Sequence, residues 1–173
     1  NPEGVFSIAA RAEDVPFRFQ DDWPVLEHTN ADLYFEGDSM RIVADGGEHK
    51  GLRARYAEAR IPVLSADSPV LLLKAEADGP ATGLSAVVRA SPLPQLLGED
   101  LARLDFTGES GLNLSLEIPL QDPKGIKLDG HLHLRDSRLD VRPLGTLLTG
   151  LNGELHFSER AVSSKGMQGR ILG

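Results

Sequence analysis

Leu112-Asn113-Leu114-Ser115-Leu116-Glu117-Ile118 decides how the chain is read. Apolar and polar residues alternate one by one. Successive side chains of a β-strand point to opposite faces, so this stretch is a strand with an apolar face and a polar face. An amphipathic helix would instead group its apolar residues three and four apart.

The same period extends in both directions. Ile126, Leu128, Leu132 and Leu134 alternate with Lys127, Asp129, His131 and His133. Upstream, Phe6, Ile8 and Ala10 form one run, and Val15, Phe17 and Phe19 the next. Leu33 and Phe35 oppose Tyr34 and Glu36, and Met40, Ile42 and Ala44 follow. Leu84, Ala86 and Val88 read as a further strand by the same rule. Val70 to Leu73 is apolar on both faces and is expected to be covered on both sides. Asp45-Gly46-Gly47, Asp78-Gly79-Pro80 and Asp122-Pro123-Lys124-Gly125 suit hairpin loops between such strands. Strands that follow one another this closely predict a mainly β fold, an antiparallel meander.

Two segments leave the period. Leu93, Leu96, Leu97, Leu101 and Leu104 are spaced for a helix face, with Ser91 as N-cap and Pro92 at the first helical position. Leu144, Leu147, Leu148 and Leu151 follow Pro143 with similar spacing. Short helices are therefore expected at about 92–104 and 143–150, laid on the sheet or closing its end.

A short repeat is also visible. Asn30-Ala31-Asp32-Leu33-Tyr34-Phe35 matches Asn152-Gly153-Glu154-Leu155-His156-Phe157 at a separation of 122 residues. Residues 1–173 are thus expected to form a single β-rich module, with a next repeat unit starting at about 143–173. Asn1 at one end, and Ile171-Leu172-Gly173 stopping in mid-pattern at the other, suggest a piece of something longer.

Composition narrows the function classes. The net charge is −8, and Lys and Arg are scattered. No basic stripe is present to displace counterions from phosphates, so nucleic acid is discarded as a partner. The same charge opposes docking on anionic headgroups, which leaves acyl chains as the route to any lipid contact. Without Cys there are no disulfides and no thiolate metal sites. No run reaches the roughly 18 apolar residues of a membrane-spanning helix.

Catalytic signatures are absent. Gly145-Thr146-Leu147-Leu148-Thr149-Gly150 has the glycine spacing of a phosphate loop but lacks its Lys. There is no nucleophile elbow and no His-Glu-x-x-His. The reading is therefore of a protein that is not an enzyme and needs no cofactor. Asp129, His131 and His133 point the same way along one strand, ~6.8 Å apart per two-residue step, and His156 has the same phase. His131 and His133 are weak candidate metal ligands, because His-x-His can supply two donors to zinc with a carboxylate as third; the alternative is a solvated polar face. Trp23-Pro24 is either a ligand platform or, more simply, a packing anchor.

The apolar faces remain, and two uses are open. They meet each other in a closed sandwich, or part of them lines a groove for aliphatic chains. Aromatic residues are only 5%, so the lining suits acyl chains better than sugar rings.

Phe17-Arg18-Phe19, Trp23-Pro24, Leu33-Tyr34-Phe35-Glu36-Gly37, Ile61-Pro62, Ser91-Pro92-Leu93 and Leu116-Glu117-Ile118-Pro119-Leu120, in this order, resemble the YhdP-type AsmA-like proteins. The tail from Leu151 to Phe157, with Gly166 and Gly169, resembles the Leu-x-Gly-x-Leu-x-Phe repeat of the same group. Phe19 stands where the pattern has Tyr. The resemblance implies a periplasmic segment of a long protein anchored in the inner membrane of a Gram-negative bacterium. It also implies a curled, taco-like sheet or open sandwich whose apolar groove carries phospholipid toward the outer membrane and supports its permeability barrier. Expected partners are phospholipid acyl chains and neighbouring modules of the same chain. Leu112, Leu114, Leu116, Leu132, Leu134, Leu155 and Phe157 are the candidates for the groove lining. The alternatives are a non-catalytic envelope scaffold or protein-interaction sandwich, and a metal enzyme centred on His131 and His133.

Overall fold

Alternating residues assemble into one antiparallel sheet. A computed structural model describes residues 4–172; Asn1 and Gly173, on which the reading of an excised piece partly rests, lie outside them. The strands are β1 (Ser7–Phe17), β2 (Leu26–Glu36), β3 (Ser39–Asp45), β4 (Glu48–His49), β5 (Leu52–Ile61), β6 (Val70–Pro80), β7 (Leu104–Pro119), β8 (Lys127–Val141), β9 (Thr146–Ser158) and β10 (Val162–Leu172). They pair in chain order, except that short β4 is bypassed and pairs with β2 and β5. The sheet is a meander and does not close into a barrel: β1 and β10 end it as its two edges.

The registers stack apolar side chains into rows that cross the strands. One row runs Ala12, Ala31, Ala44, Ala57, Ala75, Leu114, Gly130, Phe157, Val162. Beside it run Ala10, Leu33, Ile42, Ala59, Leu73, Leu116 and Leu128. On its other side Ala77, Leu112, Leu132 and Leu155 are in register. Such cross-strand pairs are the unit of sheet stabilisation. The opposite face is polar and carries ion pairs, Arg11 to Asp32 at 3.0 Å and Lys127 to Glu117 at 3.4 Å, and a cation–π contact of Arg41 over the Tyr34 ring at 4.7 Å. These exposed pairs stabilise little individually but keep this face in water.

Burial at Val70–Leu73 is one-sided. Leu71 is 1% exposed, whereas Leu72, pointing to the other face, is only half-buried. The expected cover on both sides is not found, because among the described residues no layer packs on the second face.

Between β6 and β7 the chain makes a helical insert: α1 (Ala81–Arg89), α2 (Leu93–Leu97) and a 3-10 turn at Glu99–Arg103. Leu84, Ala86 and Val88 are therefore helical and not a strand. Ala81, Leu84, Ser85 and Val88 also have helical spacing, and three of these four are buried. Gly79 decides the path. Its φ of +140° lies where L side chains are strained, and a Cβ there would meet the Gly51 carbonyl oxygen at 2.6 Å. Asp78-Gly79-Pro80 consequently feeds a helix and not a hairpin. Ser85 anchors the helix to the sheet: its Oγ accepts from the Phe106 N–H at 2.9 Å. The helix expected at about 92–104 is present but broken at Gly98, whose φ is +138°. Pro92, not Ser91, occupies its cap position.

The helix expected at 143–150 is absent. Only Arg142–Leu144 forms a 3-10 turn; Gly145 ends it in the left-handed region, and β9 begins at Thr146. The helical spacing of the leucines has a physical cause. Gly150 (φ +60°) sits at a bulge, which shifts the alternation by one residue and puts Leu148 and Leu151 into the same core cluster.

The bulges recur. In β1–β2, Val15 pairs Thr29 and Phe17 pairs Leu26; in β8–β9, Ser137 pairs Leu151 and Leu139 pairs Leu148. Each position in the second set lies 122 residues after its counterpart in the first. Asp14 and Asp136 both have positive φ, as do His28 and Gly150. The Asp14 N–H donates to Asn30 Oδ1 at 3.0 Å, and the Asp136 N–H to Asn152 Oδ1 at the same distance. Each Asn of the repeated motif thus satisfies a backbone donor that its bulge removes from the ladder.

Candidate functional site

The apolar face is the first candidate, and the helical insert divides it. One cluster gathers Ala59, Ile61, Leu71, Leu116, Ile118, Ile126 and Leu128. Phe19 and Trp23, stacked edge-on at 6.1 Å, and Leu93, Leu96 and Leu97 of α2 pack on it. Trp23 is a packing anchor here. A second cluster joins Leu84 of α1 to Leu132, Leu134 and Leu151.

The seven lining candidates therefore separate. Leu116, Leu132 and Leu134 are buried in these clusters at 2–5% exposure. Leu112, Leu114, Leu155 and Phe157 are half-buried. Phe157 lies over Gly130: a Cβ at that glycine would meet the ring at 2.2 Å. The glycine is what lets the ring lie against the sheet. From sequence alone nothing signals which leucines the insert covers, because that depends on where a loop between β6 and β7 returns. The alanines of the long row were not candidates either; only the register brings Ala12, Ala31, Ala44, Ala57 and Ala75 together.

The second candidate lies on the polar face of β8 and β9. His131 is directly opposite His156, and their rings stack with centroids 4.6 Å apart. His156 Nε2 donates to Asp129 Oδ1 at 2.5 Å, and His131 Nδ1 to Glu154 Oε1 at 2.7 Å. His133 approaches the other Glu154 oxygen at 3.7 Å. The structure thus joins His131 to His156, while His133 is linked to the group only through Glu154. Glu154 was absent from the sequence-based candidates, although it shares its phase with His156.

Hydrogen bonding sets the ionisation of these carboxyls. The bond from His156 holds Asp129 below the usual carboxylate range. The bond from His131, with the nearby charge of His133, does the same for Glu154. The Leu128 N–H lowers Glu159 likewise. A carboxylate with a depressed folded pKa contributes stability that is present above its unfolded pKa and is lost as pH falls through the folded value. Thermal midpoints should therefore fall as pH drops below about 4. The Asp129→Asn/Glu154→Gln variant should show a shallower acid limb, read by circular dichroism from pH 7 to pH 3. An identical limb would mean that these pairs do not contribute.

A third feature is a cleft of about 550 Å³ at the insert, lined by Arg89, Arg103, Asp105 and Arg142. Asp105 pairs there with both Arg89 and Arg142. Among the described residues no helix is long and apolar enough to cross a membrane.

Comparison with known proteins agrees with the resemblance in the sequence. The family model described as YhdP protein matches residues 1–173. The intermembrane phospholipid transporter YhdP of Escherichia coli (strain K12) is 31% identical over 163 residues. That match covers 94% of this chain and 13% of the relative, so the chain spans a small part of that protein's length. No solved structure matches. On the family match over its whole length, and on this identity, the chain belongs to the YhdP family.

Proposed function

We propose that this chain is a periplasmic module of a phospholipid transporter working between inner and outer membranes, and that acyl chains travel along the uncovered part of its apolar face. The observation that carries this reading is the row from Ala12 to Val162, apolar and in register across nine strands, with ion pairs on the opposite face. The relative's function as an intermembrane phospholipid transporter supports it.

The mechanism follows from the row's composition. Each methylene removed from water gains about 0.8 kcal/mol, so acyl chains are held by apolar area alone. Ala57 and Ala75, the partly exposed alanines beside Leu114, form a floor without deep pockets, so neither holds a tail much more tightly than the other. Headgroups stay in water. The sheet edges let neighbouring modules of a longer chain continue the groove. The matched bulges support a repeat unit that begins anew at β8, which moves the expected boundary upstream from 143. Anchoring of the parent in the inner membrane and a role in the permeability barrier belong to the same proposal. No side chain is assigned a chemical step.

Lipid extraction and mass spectrometry of the purified chain test the reading. Phospholipid should co-purify with it and be lost on delipidation without loss of the strand signal in circular dichroism. A chain free of lipid that also fails to take up phospholipid from vesicles contradicts the proposal.

A further inference from the structure

The outer face of β8 and β9 carries a group of donors that lipid transport does not use. One ligand atom from each of Asp129, His131 and His156 lies within 4.8 Å of the others. The three come from two adjacent strands, and the backbone ladder fixes their spacing: His131 and His156 are partners in register, and Asp129 is two residues along β8. We propose that these three residues bind a divalent first-row transition-metal ion of the zinc class, with Glu154 orienting one ligand.

The donor chemistry selects the ion. Two imidazoles and one carboxylate suit Zn²⁺, Cu²⁺ or Ni²⁺, whereas Mg²⁺ and Ca²⁺ prefer all-oxygen sites. Zinc bonds of about 2.0–2.2 Å place its ligand atoms roughly 3.4 Å apart, so binding requires the ligand atoms to draw together and the stacked His131 and His156 rings to turn toward a common point. The hydrogen bonds present prepare it. His131 Nδ1 is committed to Glu154 Oε1, which leaves Nε2 as the ligand; a carboxylate behind a ligating imidazole is the usual supporting arrangement. His156 Nε2 and Asp129 Oδ1 already face each other at 2.5 Å, and the metal takes the place of the proton between them. Two carboxylates beside neutral imidazoles balance the ion's charge. Three protein ligands leave a fourth position for water. The metal would pin β8 to β9 on the face opposite the apolar rows, so this proposal stands or falls apart from the lipid reading.

Titration calorimetry of the purified chain with ZnCl₂ in a non-coordinating buffer tests it. One Zn²⁺ should bind per chain with micromolar affinity and raise the thermal midpoint. His131→Ala and His156→Ala should each weaken binding by at least about tenfold, and Glu154→Gln by about tenfold, with metal-free circular dichroism unchanged. His133→Ala should retain the affinity, because His133 is not a ligand. The absence of saturable binding below millimolar Zn²⁺, binding unaffected by His131→Ala and His156→Ala, or a His133→Ala loss as large as that of His156→Ala would each overturn the proposal.

Discussion

Leu116→Asp will leave the chain unfolded, and Leu116→Ala will lower its stability by about 2–5 kcal/mol. Leu116 is 2% exposed and lies between Leu73 on β6 and Leu128 on β8, with Leu71 and Ile118 in the same cluster. Removing its isobutyl group leaves a cavity in a layer that α2 and Trp23 already close. An aspartate there adds an unpaired charge where all its neighbours are apolar, at a further cost of several kcal/mol. A domain has about 5–15 kcal/mol in total, so the two costs together exhaust it. Urea denaturation followed by circular dichroism reads both variants. If Leu116→Asp folds with a midpoint near that of the parent, this part of the face is open to water and the insert does not close it.

Leu114→Asp, two residues away, will keep the fold and lose lipid. Leu114 is half-buried at the margin of the first cluster, with Ala75 on one side and the Phe157 ring, lying over Gly130, on the other. A carboxylate there reaches water, so its cost to folding is small compared with that at Leu116. For an acyl chain crossing the row the same charge is an obstacle, since tail and carboxylate cannot both be solvated. Phospholipid recovered with the variant should fall at least about tenfold, equivalent to 1.4 kcal/mol of lost binding. Unchanged lipid with an intact fold would move the path away from Leu114. Loss of the strand signal would place Leu114 in closed core.

These two leucines show what was legible in the sequence. Alternation at 112–118 and 126–134 reports strand and face directly, because burial on one side imposes period two. It does not report what lies on the face. Leu116 and Leu114 are equivalent in the sequence and differ in burial, Leu116 lying inside the first cluster and Leu114 at its margin. The insert was itself half-legible: Pro92 and the leucines after it mark a helix, whereas Leu84, Ala86 and Val88 fit period two as well as the helical spacing they adopt. Leu148 and Leu151 misled for the opposite reason, since one bulged residue turns strand spacing into helix spacing. At the outer face the common phase of Asp129, His131 and His156 was visible, but the pairing of His131 with His156 depends on the β8–β9 register. The bulges at Asp136 and Gly150 interrupt that register, and neither can be counted from the sequence.

Face-resolved photocrosslinking of the chain with phospholipid vesicles tests the central claim most directly. A photoreactive residue at Ala57, Ala75 or Leu114 should capture phospholipid, and one at Glu58, Lys74 or Asn113, their neighbours on the polar face, should not. Equal capture on both faces, or capture on neither, would contradict an apolar face that carries lipid.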